Sequence, residues 1–226
     1  MFSLTVRGIS MKYDTYIFDL DGTLLDTLQD LAAAVNYALS RKGYPVRTTD
    51  EVRGFIGNGI GKLIERSVPE GTDRENYLET LGIFRDYYLE HIADKTVPYD
   101  GIEETVAELK KRGCSTAVVS NKADEAARKV VFDYFGGDVF DMVVGKLDRF
   151  PSKPEPDSVL YVADSLGAQK SRCVYVGDSD VDIMTARNAG LPCIAVTWGN
   201  RDRASLEKLA PEFIAEKPSD ILSLTE

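Results

Sequence analysis

The chain has 226 residues, 43% of them hydrophobic and 28% charged, with 27 lysines and arginines against 37 aspartates and glutamates for a formal charge of −10. This composition can bury a core and excludes intrinsic disorder, and the length suits one domain carrying a sizeable insertion. The acidic excess, with no basic block or stripe, argues against nucleic acid as a partner, because that binding rests on Lys and Arg neutralising phosphates.

In chain order, residues 1–12 read as an extra β-like or disordered leader, with Met11 an alternative start. The leader lacks the long apolar core of a signal peptide. No later run approaches the ~20 apolar residues of a spanning helix, so the expectation is a soluble, cytoplasmic protein with no membrane association. Residues 15–19 (TYIFD) form the first of five β-like runs; the others are 115–120 (STAVVS), 139–144 (VFDMVV), 173–177 (CVYVG) and 193–197 (CIAVT). These runs are apolar nearly throughout, the pattern of strands covered on both faces in a parallel sheet. Helical patterns separate the later ones. Residues 100–112 place Asp100 three positions before Glu103, as in a capping box, carry Ile102, Val106 and Leu109 on one face, and stop at Gly113. Residues 122–135, 155–166 and 180–189 follow, the last ending at Gly190. Strand and helix alternate, which predicts an α/β, Rossmann-like parallel sheet with helices on both faces.

The alternation breaks between Asp26 and His91, where no strand is evident. Leu28, Leu31, Val35 and Leu39 mark one amphipathic helix there, and Tyr77, Leu81, Phe84 and Tyr88 another. A crossover needs only ~10–15 residues, so this stretch reads as an all-helical cap domain, 26–91, inserted into a core of 1–25 and 92–226, with hinges at its boundaries. Cys114, Cys173 and Cys193 form no CxxC pair and sit in or beside β-like runs, as buried reduced thiols do. His91, the only histidine, ends a helical stretch and reads as a solvated residue.

Ligands of open parallel sheets bind at the carboxyl ends of the strands. Four polar segments fall there: Asp19-Leu20-Asp21-Gly22-Thr23, Ser120-Asn121, Ser152-Lys153-Pro154-Glu155-Pro156, and Gly177-Asp178-Ser179-Asp180-Val181-Asp182. Crowded carboxylates raise one another's pKa values unless a cation holds them, and hard oxygen ligands select Mg²⁺. An ionised Asp is a competent nucleophile toward phosphorus, and Ser120, Asn121 and Lys153 offer hydroxyl, amide and charge to a transferring phosphoryl group.

DLDGTLLDT, the strand ending in SN, the KPEP lysine and GDSDVD resemble, in order, the four motifs of the haloacid dehalogenase superfamily. The match runs from about residue 13 to 200. The helical insertion resembles the mobile cap of the phosphoglycolate phosphatase-like subgroup, and Arg53-Gly54-Phe55-Ile56-Gly57-Asn58-Gly59, followed by Leu63 and Arg66, its cap segment. The resemblance implies Asp19 as nucleophile and Asp21 as general acid, then base. It implies a Mg²⁺ site of Asp19, the Asp21 carbonyl and Asp178, supported by Asp182. Ser120 and Lys153 would hold phosphoryl oxygens, with amides around Leu20, Gly22 and Asn121 adding hydrogen bonds. It also implies a phosphatase acting on a small phosphorylated metabolite, 2-phosphoglycolate leading, as a monomer or homodimer.

Plainer roles compete at several positions. Asp19 and Asp21 are ordinary turn formers, Asp180 suits a helix N-terminus, and Ser179 suits a cap. Gly57, Asn58 and Gly59 either bring backbone amides to a substrate or form a helix-to-helix turn. Arg53, Lys62 and Arg66 either select an anion or decorate the surface, Lys122 touches substrate or starts a helix, and Trp198 packs under a loop or stacks on a ligand. Within the superfamily a pyrophosphatase and a sugar-phosphate mutase remain alternatives. From another class, a phospho-accepting receiver domain shares an acidic Mg²⁺ site and a phosphorylated Asp. An acid at Asp21 and the cap insertion count against the receiver.

Overall fold

In the computed structural model, residues 11–225 are described; the leader reading of residues 1–10 therefore lies outside the described residues. Met11 is buried, and the Lys12 amide donates to the Thr225 carbonyl at 2.7 Å, so the two ends of the described chain meet.

The elements in order are β1 (Thr15–Phe18), β2 (Leu25–Asp26), α1 (Leu28–Arg41), α2 (Thr49–Phe55), α3 (Gly59–Ser67), α4 (Arg74–Glu90), β3 (Val97–Pro98), α5 (Ile102–Lys111), β4 (Ser115–Ala123), α6 (Asp124–Phe135), β5 (Met142–Lys146), α7 (Asp157–Ser165), β6 (Cys173–Gly177), α8 (Asp180–Ala189), β7 (Cys193–Val196), α9 (Arg203–Glu207), β8 (Phe213–Ala215) and α10 (Asp220–Ser223). Six strands form a parallel sheet in the order β5-β4-β1-β6-β7-β8, with β1 hydrogen-bonded to β4 and β6. All five expected runs are strands of this sheet. β8 was not anticipated, because three residues carry too little pattern to separate from a loop.

The side-chain alternation of β1 divides the core. Tyr16 and Phe18 pack with Ile102, Val106 and Leu109 of α5 and Val130 of α6 on one face. Ile17 packs with Val159 of α7 and Ile183 of α8 on the other. All of these are fully buried or nearly so, and each such side chain contributes about 1.5–3 kcal/mol of hydrophobic stabilisation. The cysteines are free and buried as expected, and burial pushes each thiol pKa up. His91 stacks on Tyr87 and reaches Asp94 at 2.7 Å, at the exposed end of α4.

Three local expectations are corrected. The Asp100/Glu103 capping box does not form: Gly101 takes the N-cap position with φ of 86°, which leaves Asp100 outside the helix. β5 starts at Met142, not Val139, because Asp141 pairs with Thr116 through both its amide and its carboxylate, at 2.8 and 2.9 Å, before the ladder begins. Residues 122 and 123 belong to β4, so Lys122 does not start a helix.

Between β2 and β3, a two-residue antiparallel ribbon, lie α1–α4. The stripe of Leu28, Leu31, Val35 and Leu39 on α1 is buried, as are Phe84 and Tyr88 on α4. α2 starts with a complete capping box, Thr48 with Glu51. No described helix is long and apolar enough to cross a membrane.

Candidate active site

The chain leaves β1 at Phe18, and the next residue, Asp19, is held at the strand end by its amide, which donates to the Val176 carbonyl at 2.8 Å. A tight turn follows. Leu20 accepts from the amides of Thr23, Leu24 and Leu25, and Gly22 at φ 89° donates to Leu25. The turn has little room above it: a Cβ on Gly22 would lie 2.4 Å from Asp178 Oδ2 and 2.2 Å from Asn200 Nδ2. Gly22 therefore shapes the site instead of binding through its amide, which is already used. We expect Gly22→Ala to destabilise the fold by roughly 2–5 kcal/mol, combining backbone strain with overpacking, as read by urea denaturation. Unchanged stability would show that the turn tolerates a side chain.

The segment after β6 brings the second acidic group. Asp178 is buried; its Oδ2 accepts from the Asn200 amide at 2.6 Å. Ser179 caps α8, and Asp182 completes the box, accepting from Ser179 N and Oγ at 3.1 and 2.6 Å through Oδ2. Gly177 lets Asp182 fold back so closely, since a Cβ there would lie 2.3 Å from the Asp182 Cβ. Asp180 points elsewhere, to Arg201 at 3.1 Å, as its helix-end reading implies.

Lys153 ties these segments together. Its Nζ lies 2.8 Å from Asp19 Oδ1 and 2.8 Å from Asp182 Oδ1, and donates to Tyr175 Oη at 2.9 Å, with a side chain 2% exposed. Burial opposes its charge, but the two aspartates outweigh burial and hold its pKa well above the ordinary lysine value. The loop carrying it is clamped by Asn121: Lys153 N donates to Asn121 Oδ1 at 2.9 Å, and Asn121 Nδ2 donates to the Lys153 carbonyl at 3.2 Å and to the Gly57 carbonyl at 3.1 Å. The Asn121 side chain is thus spent on positioning.

Asp19, Asp178 and Asp182 each offer one oxygen within 4.8 Å of the others. Burial first, and then the Asp182 charge, pushes the Asp19 pKa well above that of a free carboxylate; the same two causes push Asp178 up to about 7. One lysine does not balance three buried carboxylates. A hard divalent cation fits this all-oxygen, over-acidic donor set. Asp182 receives two donors on each oxygen, whereas Asp178 receives the Asn200 amide on Oδ2 and only a long contact, 3.4 Å, from the Thr23 hydroxyl on Oδ1, and Asp19 receives Lys153 on Oδ1 alone, so Asp19 and Asp178 are the less committed carboxylates and Asp182 stands behind them.

Asp21 is separate from that cluster. Its Oδ1 accepts from Lys122 Nζ at 2.9 Å, and Lys122 also donates to the Tyr88 hydroxyl of α4 at 2.5 Å. A cleft of about 60 Å³ opens between these groups. Its lining joins polar groups, among them Asp19, Asp21, Ser120, Lys122, Lys153 and Asp178, to the apolar side chains Leu31, Ile56, Ile60 and Leu63 and the Tyr88 ring, with Gly57 and Gly59 beside Asn121. Of the residues expected to bind substrate from the helical insertion, Gly57 and Gly59 reach the cleft; Arg53 and Asn58 are not among its lining residues. Arg53 faces Asp50 at 3.9 Å, and Asn58 accepts from Arg66, which also donates to the Phe55 carbonyl and so braces the α2–α3 turn. Lys62 pairs with Glu65 at 2.6 Å. Arg201, beyond β7, donates to the carbonyls of Arg53 and Ile56 at 3.1 and 2.8 Å. Trp198 donates from Nε1 to the Thr23 carbonyl at 3.0 Å, so it packs against the turn after β1.

Tyr88, Tyr175, Asn200 and Arg201 were not singled out in the sequence. Tyr175 sits in an apolar strand run and Tyr88 in an amphipathic stripe, where an aromatic reads as core. Lys122 carried a signal, since alternation puts it with Ser120 on one side of the end of β4.

A family model described as haloacid dehalogenase-like hydrolase matches residues 16–196. A phosphoglycolate phosphatase of Aquifex aeolicus is 35% identical over 210 residues, covering 93% of this chain and 95% of that one. A phosphoglycolate phosphatase of Vibrio parahaemolyticus is 32% identical over 92% of this chain and 93% of its own. A crystal structure from Lactobacillus delbrueckii subsp. bulgaricus, provisionally named a phosphoglycolate phosphatase, superposes with a TM-score of 0.90 at 33% identity over 95% of this chain and 98% of that one. With an aspartate-bearing turn, a clamped lysine and an acidic cluster meeting at one sheet edge, and relatives alike along nearly the whole length, the chain belongs to the haloacid dehalogenase-like hydrolases and is a phosphoric monoester hydrolase.

Proposed function

We propose that the protein is a Mg²⁺-dependent phosphatase that hydrolyses a small acidic monoester, with 2-phosphoglycolate the leading substrate, through an aspartyl-phosphate. The observation that carries the reading is the Asp19 carboxylate at the cleft, held by Lys153 and bordered by Asp178. Names of relatives similar along nearly the whole chain favour 2-phosphoglycolate. The division of labour places the core in 1–25 and 92–226 and a cap in 26–91, in a cytoplasmic protein without nucleic-acid or membrane partners, acting as a monomer or homodimer.

In this reading Asp19 and Asp178, with the Asp21 carbonyl, would hold Mg²⁺. When bound, the ion neutralises charge on the phosphoryl oxygens. An Asp19 oxygen attacks phosphorus as the ester oxygen departs, and Asp21 gives its proton to the leaving alcohol. Asp21 then takes a proton from the water that attacks phosphorus, and Asp19 is released. Ser120 holds a transferring oxygen, Lys153 steadies Asp19 and lends its charge to those oxygens, and backbone amides of Leu20 and Asn121 add donors.

A turnover panel of 2-phosphoglycolate, hexose phosphates and pyrophosphate, with Mg²⁺ and after chelation, tests this reading. The highest kcat/KM is expected for 2-phosphoglycolate, and chelation is expected to remove activity. A preference for pyrophosphate or a hexose phosphate would reassign the substrate, and activity undiminished by chelation would refute the metal requirement.

A further inference from the structure

Two cations line the cleft, Lys153 and Lys122. Lys153 is consumed by Asp19, Asp182 and Tyr175. Lys122 is not. Its ammonium has three N–H donors; two go to Asp21 Oδ1 and the Tyr88 hydroxyl, and no described residue accepts the third. The residue is 7% exposed, and its Nζ lies 4.8 Å from the centroid of the Tyr88 ring, a contact that strengthens when the cation is desolvated. Asp21 is its single ionic partner among the described residues.

The surroundings fix what that third donor suits. Leu31, Ile56, Ile60 and Leu63 give the cleft an apolar wall, and the polar side chains of Asn121 and Ser179 that also line it are already held by Lys153 and Gly57 and by Asp182, and that of Asn200 by Asp178, which leaves little to satisfy the several hydroxyls of a sugar. A hydroxyl buried there without a partner loses its hydration uncompensated. A short alcohol bearing one carboxylate leaves no such hydroxyl and supplies the acceptor Lys122 lacks. We propose that Lys122, braced by Tyr88, is the specificity residue that receives a carboxylate on the leaving alcohol, and so selects short phosphorylated hydroxy acids over neutral or polyhydroxy monoesters. This rests on the monoesterase reading above and adds the residue that chooses among monoesters.

The test compares 2-phosphoglycolate with ethyl phosphate, which has a methyl in place of the carboxylate. Lys122→Met is expected to lower the ratio of their kcat/KM values by about 10–100-fold, the scale of a hydrogen bond to a charged group. Lys122→Gln, which keeps donors without charge, guards against a folding failure and is expected to fall between. Tyr88→Phe shifts the ratio the same way by less. Because Lys122 also touches Asp21, both substrates will slow; an equal slowing, with the ratio intact, would overturn the proposal and leave Lys122 as a positioning residue. Calorimetric binding of both compounds to Asp19→Asn, with and without Lys122→Met, in Mg²⁺, separates this proposal from turnover. Lys122-dependent preference for 2-phosphoglycolate supports it even if that ester is not hydrolysed, whereas no preference overturns it even if hydrolysis is confirmed.

Discussion

Asp19→Asn is expected to lower kcat by at least about 10⁴-fold, the scale of losing a covalent nucleophile, while the protein stays folded. The amide keeps the shape of the carboxylate but cannot form an aspartyl-phosphate. The same change removes one of three buried acids whose oxygens lie within 4.8 Å of one another. Without metal, the variant should therefore melt at a higher temperature than the wild type, because the Asp19 charge is opposed by burial and by Asp182 and only partly relieved by Lys153. Rapid-quench detection of acid-stable phosphoprotein and a thermal melt in chelator read the two effects. Turnover equal to wild type would eliminate Asp19 as nucleophile; a lower metal-free melting temperature would show that Asp19 contributes net attraction to the site.

Lys153→Met carries the largest expected cost in stability, about 3–5 kcal/mol, the range for removing one partner of a buried ion pair, together with loss of measurable turnover. The lysine ammonium is the only described cation between Asp19 and Asp182, and its side chain is 2% exposed. Its loss also sharpens the pH response. A carboxylate whose folded pKa exceeds its unfolded value keeps its stability contribution below the unfolded pKa, near 3.8, and loses it as pH rises toward the folded value. Asp19 is already displaced upward with the lysine present. The deficit of the variant should thus grow from pH 5 to pH 8. Urea titrations at both values read it, and a deficit that shrinks with rising pH would contradict the role of Lys153 as counter-ion. Lys153→Arg should recover part of the stability and little activity, since a planar fork cannot replace a point charge shared among Asp19, Asp182 and Tyr175.

The core site was legible because its parts are local. Asp19 to Thr23 is a strand end and a turn, Ser179 to Asp182 is a helix cap, and each pattern sits in consecutive residues. What escaped depends on distance. The Tyr88 contact with Lys122 spans 34 positions, and the Tyr175 hydroxyl reaches Lys153 across 22, with nothing in either neighbourhood to mark a polar task. The α2–α3 segment shows the same limit. Its residues leave substrate contact, a turn and plain surface roles all open, and only the backbone path decides that Gly57 and Gly59 line the cleft while Asn58 is held by Arg66. Lys122 reads as a substrate contact or a helix start because the strand pattern fades at Asn121, whereas β4 continues through an irregularity between Val119 and Ala123. Gly145 permits that extension, since a Cβ there would lie 2.6 Å from the Lys122 carbonyl.

The grip of Arg201 on the helical segment is blind to that segment's side chains. Its guanidinium takes the carbonyls of Arg53 and Ile56, groups that every amino acid supplies. Exposed and cleft-lining side chains of α2 and α3 can therefore change without loosening the join to the sheet edge, while Val52 and Ile64 stay fixed in the core. Such an arrangement lets one scaffold explore new substrates by changing the lining alone, and it makes the stretch from Thr48 to Ser67 a portable cassette: one taken from a relative with the same backbone turn should seat on Arg201 unaided.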